Sequence, residues 1–91
     1  MAELILVIEH WRPGTAAAIY KRFRETGRGL PDTVTVHGSW VDSSLSTCWQ
    51  IMDAPSSEEM EVWTTHWSDL MEIEVVPVIT GAEAAQRYLA R

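Results

Sequence analysis

Apolar residues occupy both parities of the opening run from Glu3 to Glu9, with Leu4, Leu6 and Ile8 interleaved with Ile5 and Val7. This predicts a strand covered on both faces, central in its sheet. Arg12-Pro13-Gly14 breaks it. Thr15 then stands where an N-cap is needed, ahead of a helical stripe of Ala16, Ile19, Tyr20 and Phe23, and Gly27 supplies a left-handed stop. Gly29 and Pro31 make a loop, after which Thr33 to Asp42 is rich in β-branched residues and reads as a second strand. Asp42-Ser43-Ser44 turns the chain into a third strand, Ser46 to Met52. Ser56 and Glu59 have the spacing of a capping box, opening a helix whose buried stripe is Met60, Trp63 and Trp67. Met71 to Ile79 is the fourth strand. Thr80 with Glu83 repeats the capping signature for a short terminal helix bearing Ala84, Ala85, Tyr88 and Leu89.

The β-α-β-β-α-β order with short connections predicts one α+β domain over residues 1–91, a ferredoxin-like sandwich. Its four-stranded antiparallel sheet has the order 4-1-3-2, with two helices on one face and the C-terminal helix as an addition. Strand parity places Leu4, Leu6, Ile8, Val34, Val36, Trp49, Ile51, Ile73 and Val75 toward the helices. It leaves Ile5, Val7, Glu9, His37, Ser39, Val41, Cys48, Gln50, Met52, Glu74 and Val76 on the far side. That far side is too apolar for open water, so a homodimer that packs it against its copy is expected. A chain of 91 residues buries only about 60–65 % of its unfolded surface, and a partner subunit adds to a modest core.

Composition narrows the partners. The net charge of −6 excludes general nucleic-acid binding, which needs a dense basic surface. Residues 12–28 carry +4 and the rest −10, so the first helix is a basic island on an acidic body. It is either a solvated face or a surface for an anionic ligand or an acidic second subunit. The single cysteine, Cys48, forms no internal disulfide and fits a reducing cytoplasm. The opening apolar segment is short, lacks a basic start and carries Glu3 and Glu9, so it reads as a strand, not as a signal peptide or membrane span.

Several motifs in order resemble the domain-of-unknown-function family 3303. They are Val7-Ile8-Glu9-His10-Trp11-Arg12-Pro13-Gly14, Ile19-Tyr20-Lys21-Arg22-Phe23, Gly38-Ser39-Trp40-Val41, Cys48-Trp49-Gln50-Ile51-Met52, and Trp63 to Leu70 running into Glu74-Val75-Val76-Pro77-Val78. The resemblance covers nearly the whole chain. It implies the dimeric α+β barrel type of fold, in which two ferredoxin-like subunits pair their sheets, and it implies no activity. Related folds host cofactor-independent monooxygenases, haem-binding enzymes and stress-response dimers, an analogy of fold alone.

Five tryptophans in 91 residues are unusual, and parity with helical spacing sets Trp40, Trp49, Trp63 and Trp67 near the sheet–helix interface. They either fill the core or line a flat pocket, since buried indole N–H groups need partners and small-molecule sites are mostly apolar walls. Topology gathers His10, Trp11, Arg12, the Thr15 helix start, Trp40 and Trp67 at one end of the sheet. A helix start beside Arg12 suits an anion or carboxylate. The candidate ligand-binding set is therefore His10, Arg12, Trp40, Trp49, Trp63 and Trp67. Glu9, His37, Cys48, Gln50 and Glu74 form a polar patch on the dimer-facing side, either a register-fixing network or an acid–base site. His10 and His37 are the catalytic candidates. The histidine spacing matches no zinc site, no phosphate-binding loop is present, and no metal or cofactor is expected. The leading expectation is a small cytoplasmic homodimer holding an aromatic or anionic molecule in a Trp-lined cavity. The alternatives are a cofactor-independent monooxygenase- or isomerase-like enzyme, and a purely structural or interaction dimer.

Overall fold

The computed structural model describes residues 3–90, so Met1, Ala2 and Arg91, at the ends of the expected 1–91 domain, lie outside the described residues. The elements run β1 (Glu3–Trp11), α1 (Ala16–Thr26), β2 (Thr35–Val41), β3 (Thr47–Ala54), α2 (Ser57–Trp67), β4 (Met71–Pro77) and α3 (Gly81–Leu89). The four strands form one sheet in the order β2-β3-β1-β4, with every neighbouring pair antiparallel. This is the ferredoxin-like α+β arrangement that the pattern predicts. β1, apolar on both parities, lies in the interior between β3 and β4.

The core lies between the inner face of the sheet and the helices. Ile5 and Val7 of β1, Met52 and Ala54 of β3, Met71 of β4, Met60, Trp63 and Trp67 of α2, and Ile19 of α1 are all buried in it. α2 carries the predicted stripe. Its capping box, however, is not made: Ser56 occupies the N-cap position with no side-chain bond. Glu59 instead accepts a hydrogen bond from the Thr33 hydroxyl at 2.7 Å, which ties α2 to the loop before β2.

On β1 and β3 the faces of the sheet are the reverse of the parity assignment. Ile5, Val7, Glu9, Cys48, Gln50 and Met52 are buried on the helix side. Leu4, Leu6, Ile8, Trp49 and Ile51, expected to meet the helices, lie on the outer face, opposite one another across β1 and β3. Trp40 joins them there as the cross-strand partner of Trp49, so neither lies at the sheet–helix interface. Val36, Ile73, His37, Glu74 and Val76 fall on the sides expected of them, by register and contact. A shift of register between Val36 and Gly38 explains why no single alternation describes β2. Val36 points inward opposite Met52, and past the bulge Ser39 and Val41 point inward opposite Gln50 and Cys48.

α3 opens as predicted, with Thr80 Oγ1 accepting from the Glu83 amide at 3.0 Å. Arg87 pairs with Glu83 one turn earlier at 3.6 Å. The helix buries none of its residues. No helix among the described residues is long and apolar enough to cross a membrane.

Candidate functional site

Two clamps hold α1 over the sheet without pressing it flat. Near the middle of the helix, Arg22 donates two hydrogen bonds to the Asp69 carboxylate, at 2.8 and 2.7 Å, and a third to the His66 carbonyl at 2.8 Å. Its guanidinium also lies over the Trp67 ring, 5.4 Å from the centroid. This ion pair holds the Asp69 carboxyl down at about 2. Beyond the helix, the Arg28 carbonyl accepts from two indoles at once, Trp63 Nε1 at 2.8 Å and Trp67 Nε1 at 2.9 Å. The α1–β2 loop is thereby pinned to α2. Gly29, at φ +75°, permits this approach, because a Cβ there would stand 3.0 Å from the His66 ring.

Apart from these clamps the helix stands off the sheet. Ile19 is its only buried residue, and Tyr20 and Phe23 overhang a half-open cavity of about 210 Å³. The walls are aromatic: Trp11, Tyr20, Phe23, Trp63 and Trp67, with the Trp11 and Tyr20 rings edge to face at 5.7 Å. The floor comes from β1 and β3, where Glu9, Cys48 and Gln50 point inward. Arg28 joins the lining, and Ile19, Ser39, Val41 and Met71 complete it.

The polar groups of the floor form one chain. Glu9 Oε1 accepts from the Trp11 indole at 3.0 Å, and Glu9 Oε2 accepts from the Gln50 amide. Arg28 Nε donates back to Gln50 Oε1 at 3.4 Å while its guanidinium lies over the Phe23 ring. Burial pushes the Glu9 carboxyl above its ordinary 4.5. Hydrogen bonds from Trp11, Gln50 and Cys48 and the charge of Arg28 oppose that rise without cancelling it. Burial, then the neighbouring Glu9 charge, pushes the Cys48 thiol up to about 11, so at neutral pH it is a protonated, unreactive wall group.

A carboxyl whose folded pKa exceeds its unfolded one favours the fold fully below about 4.5, and that contribution is lost as pH rises through the folded value. Glu9→Gln, neutral throughout, is therefore expected to gain melting temperature relative to the parent as pH rises from about 4 to about 8. Thermal melts at both pH values check this. A difference that does not change with pH would mean that the carboxyl carries no burial penalty.

The structure brings together only part of the sequence-predicted set. Trp63 and Trp67 line the cavity; His10, Arg12, Trp40 and Trp49 do not. His10 lies 3.6 Å from Glu74 on the outer face, and Arg12 donates to the Ser68 carbonyl at 3.0 Å. Thr15 makes no side-chain cap, its hydroxyl donating to the Arg12 carbonyl instead. The expected polar patch is divided between the two faces: Glu9, Cys48 and Gln50 lie inside, while Glu74 stays outside with His37, which sits 2.6 Å from Asp53. Helical spacing gives Tyr20 and Phe23 only as part of a stripe, and charge gives Arg28 only as part of a basic island. The signal that could have found the site was Glu9 itself, a charge placed on an otherwise apolar parity of a central strand.

A β-α-β-β-α-β sheet with helices on one face defines this chain as a ferredoxin-like α+β domain carrying an aromatic cavity under its first helix. A family model described as Domain of unknown function (DUF3303) matches residues 4–90, and the chain belongs to that family. Comparison with curated proteins and with solved structures gives no match.

Proposed function

We propose that this protein binds a small, flat aromatic molecule in the cavity beneath α1, and that it works as a cytoplasmic homodimer. The observation that carries the binding reading is the pairing of five aromatic walls with a single polar floor, Glu9-Gln50-Arg28. Apolar walls supply contact area, and a few convergent polar groups set orientation. A cavity of about 150 Å³ holds benzene, so the ≈ 210 Å³ here suits one ring with a polar substituent or a compact pair of rings. The floor favours a ligand with a hydrogen-bond donor for Glu9 and an acceptor for Arg28 over a simple anion, because the buried carboxyl opposes negative charge.

The dimer reading rests on the outer face, where Leu4, Leu6, Ile8, Trp40, Trp49, Ile51 and Val76 form an apolar strip in the single chain. The pairs His10–Glu74 and His37–Asp53 lie on the same face. A strip of this kind marks an association surface. The buried, unpaired Cys48 agrees with a reducing compartment.

2-Naphthol tests the binding reading, since its rings fit the walls and its hydroxyl donates to Glu9. Saturable quenching of tryptophan fluorescence and a raised melting temperature are expected. Tyr20→Ala, which removes a wall at the mouth, is expected to weaken binding about 10-fold, ~1.4 kcal/mol. Trp40→Ala and Arg12→Ala, outside the cavity, are expected to leave it unchanged. Absence of saturable quenching across bicyclic phenols and ketones would instead favour a purely structural dimer.

A further inference from the structure

Of the described residues lining the cavity, Glu9 is the sole carboxyl, and its setting is costly for a structural residue. It is only 5 % exposed, and its hydrogen-bond partners are neutral donors: the Trp11 indole, the Gln50 amide and the Cys48 thiol. The nearest cation in the lining, Arg28, reaches it through Gln50. A buried carboxylate without a directly bonded counter-ion is expensive to keep, and such groups concentrate at functional sites. Three donors also leave at least one of its four acceptor positions for a ligand. Gln50 fixes the relation of the two charges, donating to the carboxylate with its nitrogen and accepting from Arg28 with its oxygen.

Resting on the reading that the cavity binds a small aromatic molecule, we propose that Glu9 is a catalytic base that isomerises a compact β,γ-unsaturated cyclic ketone by proton transfer. Glu9 takes the proton from the carbon next to the carbonyl. The C–H electron pair becomes the new C=C bond, the carbonyl π pair moves onto oxygen, and the resulting enolate lies against the Arg28 guanidinium. The carboxylic acid then returns the proton to a carbon of the same conjugated system. Atoms and electrons balance within ligand and carboxyl, and no oxidant, reductant or second substrate enters. A ligand seated between the aromatic walls displaces water from the floor, which strengthens the hold of Arg28 on the developing charge. His10 and His37 take no part, since each lies outside the cavity against a carboxylate of its own.

2-Tetralone, a bicyclic ketone with an acidic methylene, is the probe. Its binding is read by tryptophan quenching, and its exchange in D₂O by loss of the methylene signal in the proton NMR spectrum. The parent is expected to accelerate exchange over buffer at least ~100-fold. Glu9→Gln is expected to lose that acceleration with quenching retained. Arg28→Met, which keeps the backbone carbonyl that anchors both indoles, is expected to slow exchange as well, and it serves should Glu9→Gln fail to fold. Saturable quenching without accelerated exchange overturns the catalytic proposal and leaves the binding reading standing. Exchange as fast in both variants as in the parent overturns it too, as does no quenching by the ketone, and no quenching by either the ketone or 2-naphthol overturns both.

Discussion

Trp67→Ala is expected to cost ~3–5 kcal/mol, the range for removing a large aromatic from a core. Small domains hold only about 5–15 kcal/mol in total, so a large share of the stability goes with that one side chain. The indole is 4 % exposed, sits under the Arg22 guanidinium, and donates to the Arg28 carbonyl. Its loss opens the core and releases one pin of the α1–β2 loop together. The shared carbonyl adds a sharper expectation. Trp63→Phe or Trp67→Phe alone leaves one indole on the Arg28 oxygen, at a cost of ~1 kcal/mol each. Together they leave the carbonyl with neither indole, and the loss is expected to exceed the sum by about 1 kcal/mol. Urea denaturation of the four proteins measures it, and strict additivity would mean that the two indoles act independently.

Leu6→Lys is expected to halve the mass in solution while leaving the fold intact. Leu6 lies on the outer face between Ile51 and Val76. In the proposed homodimer a lysine there is buried in apolar surroundings, and so is its symmetry mate. A penalty of ~3 kcal/mol or more weakens association over 100-fold. Light scattering at micromolar concentration, with circular dichroism to show the fold retained, reads the outcome. A monomeric parent removes the dimer from the proposed function. Val7, with 0 % exposure, is a core residue, and a charge at that position tests folding instead.

The order of elements and the topology of the sheet were legible because each element carries its own local signal. Gly27 stops α1 at φ +69°, Thr80 caps α3, and the Met60-Trp63-Trp67 stripe faces the core. The sidedness of β1 and β3 was not legible, although that of β4 was. β1 offers nearly equal apolar character on its two parities, so parity alone does not decide which one meets the helices, and it puts Glu9 on the face expected to pair with a second copy. Glu9 marks the cavity instead, held inside by donors from Trp11 and Gln50 that are distant from it in sequence or invisible to parity. Sequence logic fails where a buried charge serves a site, because local hydropathy records the cost of burial and not the groups that offset it. The bulge after Val36 compounds the error, since a single extra residue inverts every later side chain of β2. The aromatic wall was half legible: Trp63 and Trp67 follow from helical spacing, whereas the stand-off of α1, which turns Tyr20 and Phe23 into a rim, depends on the Arg22 and Arg28 clamps.

α3 carries a different kind of information. Nine residues are fewer than the ~12–15 an isolated helix needs to persist in water, and this one buries nothing. The Thr80 cap and the Glu83–Arg87 pair each supply only a fraction to about 1 kcal/mol. Left to these alone, the backbone amides of 84–90 trade their hydrogens with solvent within seconds and the segment is cut early by proteases. Amide protection there beyond that of a free nine-residue peptide would therefore measure, residue by residue, what the contacts of α3 with the rest of the protein add.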